Sequence, residues 1–146
     1  MQWYPQINCL KAVIIIIYIF ILDILLCSKR EVETFSELSN EEIFDYSLTL
    51  QDLMKRIELY REVNSCTISI QEGIYSGQKI NHFHAHIIPR YKDDLENNDD
   101  IYTKLSKFDD EFIRMYPVLL TDDKKKIELK AEVDNIKSFM NKLYIY

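Results

Sequence analysis

Three kinds of apolar pattern follow one another along the chain. Ala12 to Leu22 (AVIIIIYIFIL) is apolar at every position, and after Asp23 the run resumes over Ile24 to Cys27 (ILLC). From Ile43 to Tyr60 the apolar residues include Ile43, Phe44, Leu48, Leu50, Leu53, Met54, Ile57 and Tyr60, mostly at the spacing of one helix face. From Cys66 the pattern shifts to alternation, over Cys66 to Gln71 (CTISIQ) and again over Ile80 to Ile88. Alternation is the mark of a strand with one buried face.

These patterns predict elements. Ser39 followed by Glu42 is a capping box, in which hydroxyl and carboxylate each take an orphan backbone N–H, so a helix is expected over about 40–61 with its stripe in the core. Ser28 to Val32 reads as a polar turn, and Asn64-Ser65 as the break after the helix. The two alternating runs predict an antiparallel hairpin turning through Glu72 to Lys79, which holds both glycines, and closed by Pro89. A charged loop follows over Tyr91 to Asp100, then a short helix within Ile101 to Phe112. A last helix is expected from Asp122 to about Leu143, its acidic start and late lysines suiting the helix dipole. There is no internal repeat. The fold class read from this is α+β, an antiparallel sheet with flanking helices, over residues 24–146, preceded by an atypical apolar segment over residues 1–23.

That N-terminal segment has three readings. A membrane helix needs about 20 apolar residues. Residues 12–27 supply sixteen positions only if Asp23 is included, at a cost of about 3 kcal/mol for an aspartate at a helix centre. A signal peptide fits Lys11 and the run's length, without a clear small-x-small cleavage site. A pair of buried strands fits the Ile, Val, Tyr and Phe content. Periodicity does not choose between them. The expected location is cytoplasmic, with membrane association through residues 12–27 as the alternative.

Composition narrows the function. The chain has 146 residues, one domain's worth, and a formal charge of −6. That argues against a general nucleic-acid binder, which carries a basic face, but not against a site for a small anion. Three cysteines, Cys9, Cys27 and Cys66, are widely spaced with no CxxC, and read as reduced, buried thiols of an intracellular protein.

All three histidines fall in His82-Phe83-His84-Ala85-His86. On a strand, alternate residues share a face, so the imidazoles form a row about 6.6 Å apart. Pro89 would end the strand just past it, and Arg90 could then turn towards an anion. A chance cluster is one reading. A metal site is a second, but three histidines in a row diverge too far for one tetrahedral ion, and a carboxylate or cysteine would have to complete it. Nucleophilic phosphoryl or nucleotidyl chemistry is the third and favoured one: imidazole titrates near neutrality and is a covalent nucleophile.

Gln78-x-x-x-His82-x-His84-x-His86-Ile87-Ile88-Pro89-Arg90 resembles the signature of the histidine-triad (HIT) family. Its companions resemble the fragile-histidine-triad branch of dinucleoside triphosphate hydrolases: Gln71-Glu72-Gly73, Gly77-Gln78, Asn98-Asp99-Asp100-Ile101-Tyr102, and Cys27 to Glu33 followed by Phe35. The resemblance covers about residues 24–143. It implies a HIT-like sheet that dimerises. It also implies a reaction: His84 attacks the α-phosphate of diadenosine triphosphate, ADP leaves, and water releases AMP from an adenylylated histidine. In that scheme His86 contacts the phosphates or assists the leaving group, His82 positions the row, and Gln71 and Gln78 bind phosphate oxygens. Mg²⁺ or Mn²⁺ rides on the substrate, with no dedicated protein site. Two other activities stay open, a nucleotide-binding or interaction module without turnover and a nucleoside phosphoramidate hydrolase. The departure is at the N-terminus: Ala12 to Leu22 stands where the branch has its first strands, and Asp23 stands where a Pro-Gly-His lead-in places histidine. One expectation from this is that residues 1–23 are not the natural start.

Overall fold

The computed structural model describes residues 10–11 and 23–107, residue 110, and helical positions at 127, 130–131, 134–135 and 138. Among the described residues, four strands form one antiparallel sheet: β1 (Leu10–Lys11), β2 (Ile24–Ser28), β3 (Cys66–Ser69) and β4 (His84–Pro89), in the spatial order β1-β2-β4-β3. The histidine strand is therefore interior. On one side Leu25 lies opposite His86 and Cys27 opposite His84; on the other Ser69 lies opposite His86 and Thr67 opposite Ile88. With a long helix packed on one face, this is the expected α+β arrangement.

The sheet accounts for part of the N-terminal apolar run. Ile24 to Cys27 is strand β2, and Ile24 and Leu26 are fully buried in the main core. Residues 12–22 lie outside the described residues. Among the described ones, no helix is long and apolar enough to cross a membrane.

Helix α1 (Asn40–Arg61) has the expected bounds and start. The Ser39 hydroxyl accepts the Glu42 N–H (3.3 Å), and the Glu42 carboxylate accepts the Ser39 N–H (2.7 Å). Glu42 also takes both arms of Arg30, at 3.0 and 2.8 Å, which ties the helix start to the segment leaving β2. The buried face differs from the expected stripe. Tyr46, Leu53 and Ile57 are buried, with Ile43, Leu50, Met54 and Tyr60 beside them, whereas Phe44 and Leu48 point to solvent. Residues 43, 46, 50, 53, 54 and 57 follow the three- and four-residue steps of one face, and Phe44 and Leu48 fall off that line. The break also comes earlier than Asn64-Ser65: Glu62 turns left-handed (φ 55°) and its N–H bonds to the Glu58 carbonyl.

Phe83, Ala85 and Ile87 alternate with the histidines and join this core. Tyr46 meets Phe83 at a tilt of 51° with ring centroids 5.2 Å apart, and Phe35 meets Phe83 at 5.7 Å. Beyond the row, Ile88 packs with Ile101, Leu105 and Leu95 in a second cluster, so the helix over 100–107 covers the far end of the strand.

Two expectations need correction. The strand begins at His84, not Ile80, because the His82 N–H bonds back to the Ile80 carbonyl (2.8 Å) and pulls 80–82 out of the ladder. The hairpin connection is consequently long. Cys27 and Cys66 are free, as expected, but half-buried; Cys9 lies outside the described residues. The described positions of the last helix, expected over 122–143, are helical.

Loss of the cap should be measurable. Ser39→Ala is expected to lower stability by about 1 kcal/mol in urea unfolding. Glu42 is held down to about 2 from 4.5, first by its hydrogen bond to Arg30 and then by the Ser39 N–H. A lowered acid stabilises the fold above its unfolded pKa and loses that contribution as pH falls through its folded one. The stability gap between wild type and Glu42→Gln should therefore close as pH is taken from about 6 towards about 2.

Candidate active site

Each histidine has one ring nitrogen fixed by an oxygen, and the oxygen's chemistry fixes the tautomer. The His84 Nδ1 lies 2.7 Å from the His82 carbonyl. A carbonyl only accepts, so Nδ1 carries the hydrogen, and in the neutral ring the lone pair is on Nε2. The His82 Nε2 lies 2.7 Å from the Ser28 carbonyl and 3.2 Å from the Ser28 hydroxyl, so Nε2–H donates there. The hydroxyl itself donates to the Arg30 carbonyl (2.8 Å). The His86 Nδ1 lies 2.8 Å from the Asp23 carboxylate, with the imidazole fully buried and the carboxylate nearly so.

His84 and His86 meet edge to face, with ring centroids 5.2 Å apart. Burial pushes the His84 pKa below its usual 6.5; its Nδ1 hydrogen bond and Asp23 pull it up, and the neighbouring histidines push it further down. The net direction is down, so at neutral pH His84 is an uncharged ring with its Nε2 lone pair available. Burial pushes the Cys27 thiol up to about 11, which disfavours its thiolate, and Cys66 is likewise pushed up to about 11. Among the described residues, no cluster of three or more His, Cys, Asp or Glu side chains is set to hold a metal ion.

The two glutamines differ. Gln78 is taken up by backbone: its Oε1 accepts the Gly73 N–H (2.6 Å), and its Nε2 donates to the carbonyls of Glu33 (3.0 Å) and Ile80 (3.1 Å). It ties the loop before the row to the segment after β2, and it could reach a phosphate only by giving up those bonds. Gln71 is the reverse. Its Oε1 is buried without a hydrogen-bond partner, and its amide lies against the backbone of Gly77. Gly77 has φ +95°, and a Cβ there would sit 2.8 Å from the Gln71 Nε2.

Arg90 does turn towards an anion, but the anion is within the chain. Its guanidinium grips the Asp94 carboxylate with two bonds (2.7 and 2.8 Å) and also reaches Thr67 (3.1 Å). A cavity of about 530 Å³ opens beside it, with Asn98 and Tyr102 on its wall. The Asn98 to Tyr102 stretch thus sits beyond the row, past Ile88, rather than on the histidines.

Sequence reasoning assigned Asp23 to the atypical segment and missed its part in the site. A signal existed: an acid interrupting an apolar run must find a partner if the run is buried. No spacing rule pointed to Ser28 or to the Glu33 carbonyl.

Two consequences can be checked. Between the lowered folded pKa of His84 and 6.5, the unfolded chain binds more protons than the folded one, so stability rises with pH across that window. Urea unfolding at about pH 7.5 and 5.5 should show wild type losing more stability than His84→Asn, whose amide N–H can still reach the His82 carbonyl. Gly77→Ala should lower the unfolding free energy by about 1–2 kcal/mol, from left-handed strain alone.

The HIT domain profile matches residues 22–93. The chain is 38% identical over 111 residues to the bifunctional bis(5'-adenosyl)-triphosphatase/adenylylsulfatase FHIT of Arabidopsis thaliana, covering 76% of this chain and 52% of that protein. It is 40% identical over 84 residues to the bis(5'-adenosyl)-triphosphatase of Dictyostelium discoideum, covering 58% and 56%. A crystal structure of the Plasmodium falciparum diadenosine triphosphate hydrolase aligns at 25% identity with a TM-score of 0.49, over 63% of each chain. The chain spans about half the length of the curated relatives it matches. With its three histidines on and beside one interior strand, the chain carries over residues 22–93 a domain of the histidine-triad (HIT) family.

Proposed function

We propose that the chain hydrolyses dinucleoside polyphosphates, cleaving diadenosine triphosphate to AMP and ADP through a nucleotidyl group on His84. The observation that carries this reading is the His84 Nδ1–H bond to the His82 carbonyl, which directs the lone pair to Nε2. Relatives named as bis(5'-adenosyl)-triphosphatases support the substrate class.

The chemistry follows from the row. The substrate enters as its Mg²⁺ or Mn²⁺ complex, with the ion on its own phosphates. His84 Nε2 attacks the α-phosphorus, forming a P–N bond as the bond to the bridging oxygen of ADP breaks. Attack from an interior strand costs little reorganisation, because the ring is already held by its own backbone. His82 holds the turn before the strand through Ser28 and supplies the carbonyl that orients His84. Gln71, whose amide has a buried unpartnered end, is the glutamine able to meet a phosphate oxygen without breaking existing bonds. Amide ends can exchange by a flip, which presents its N–H groups instead. Water then attacks the phosphorus of the P–N intermediate and releases AMP. Homodimerisation and a cytoplasmic location belong to the same reading.

The test is chromatographic assay of diadenosine triphosphate with Mg²⁺. Wild type should yield AMP and ADP in equal amounts, and His84→Ala should lower turnover by on the order of 10⁴-fold or more, as loss of a covalent nucleophile does. Nucleotide binding without products from wild type would overturn the hydrolase reading in favour of a binding module.

A further inference from the structure

Asp23 occupies a place where a carboxylate is costly. It is 6% exposed at the head of an otherwise apolar strand, and its Oδ2 lies 2.8 Å from Nδ1 of an imidazole with no exposure. A lone carboxylate buried beside a neutral ring leaves a net negative charge in a poorly solvated site. One proton removes that charge. It belongs on the imidazole, whose ordinary pKa is above that of a carboxyl group. The ring then carries hydrogen on both nitrogens.

We propose that Asp23 is a positioning residue that holds His86 as a doubly protonated imidazolium, dividing the row into a charged proton donor, His86, and an uncharged nucleophile, His84. The catalytic part rests on the hydrolase reading above; the charge state of His86 does not. Among the described residues, the titratable groups facing His86 are Asp23 at the head of β2 and His84 on β4. At the register positions opposite it, β2 presents Leu25 and β3 presents Ser69, neither of which titrates. The helix over 100–107 presents Ile101 and Leu105 to Ile88, the next residue along the same face. Asp23 is therefore the one anion against the ring within this described set, and His84, 5.2 Å away centroid to centroid, is the group its charge reaches next.

The division of labour balances chemically. When His84 Nε2 bonds to the α-phosphorus, the departing bridging oxygen of ADP takes the Nε2 proton of His86. His86 is then neutral, still held through Nδ1–H by Asp23. It accepts a proton from the attacking water as the P–N bond breaks, which returns both imidazoles to their starting forms and releases AMP. Pairs of titratable groups pushed apart by their surroundings are a recurring way to supply acid and nucleophile together.

The experiment is a nitrogen-15 NMR titration of the imidazoles, clean here because the chain has three histidines. In wild type at neutral pH, both His86 nitrogens should read as protonated while His84 reads as a neutral Nδ1–H ring. Asp23→Asn keeps an acceptor for Nδ1–H and removes the charge, so the His86 midpoint should fall by about 1–3 pH units. Asp23→Glu should largely restore it. In assays, kcat should decline on the alkaline side with the His86 midpoint, and Asp23→Asn should move that limb to lower pH with KM little changed. An unprotonated His86 nitrogen in wild type at neutral pH overturns the proposal without recourse to any variant. So does a His86 midpoint that ignores Asp23→Asn. A responsive His86 in a wild type that releases no AMP would uphold the pairing and remove the hydrolase reading.

Discussion

Burial of Phe83, Ala85 and Ile87 against α1 decides where the imidazoles go. Side chains alternate along β4, so placing these three in the core forces His84 and His86 onto the opposite face. A slip of one residue would put imidazoles into the apolar core and expose a phenylalanine, and the register is strongly specified for that reason. The strand's interior position adds a second lock, since β2 and β3 pair it from both sides.

Polar atoms then finish what packing begins. The three imidazoles are held by a carbonyl, a carbonyl and a carboxylate, each supplied by the turn leading into β4 or by residues at the two ends of β2. Precise placement of an imidazole needs such support, because a side chain held only by packing retains rotational freedom. Gln78 extends the same logic to the loop before the row, where it links that loop to the Glu33 carbonyl. The amide expected at a phosphate is, in this structure, bonded to backbone at both its oxygen and its nitrogen.

Much of this was legible in the sequence because it is local. The capping box at Ser39 and Glu42 depends on residues three apart, and the helix came out with its expected bounds. The histidine alternation and the Pro89 stop are likewise short-range, and the family resemblance rested on them. What was not legible depends on tertiary contact. The outward turn of Phe44 and Leu48 reflects which helix face meets the sheet. The strand's late start reflects a tight turn at Ile80 to His82 that alternation does not encode. Gln71 and Gln78 looked equivalent, yet one is spent on backbone and the other is not, and only the fold distinguishes them. Asp23 looked like an interruption in an apolar run and proved to be a partner for His86, across 63 positions of chain.

That separation has a consequence for the order of events as the chain folds. His84 takes its orientation from a carbonyl two residues away, His82 from a strand 54 positions back, and His86 from a residue 63 positions back. Closing long loops carries an entropic cost that short ones avoid, and contacts between distant residues form more slowly. The orientation of His84 thus depends on a short stretch of chain, the turn that carries the His82 carbonyl. That of His86 is not set until the residues at the head of β2 dock. A chain in which β4 has met only β3 would hold His86 without its carboxylate partner. In this fold, arrival of β2 is the step that completes the site as well as the sheet.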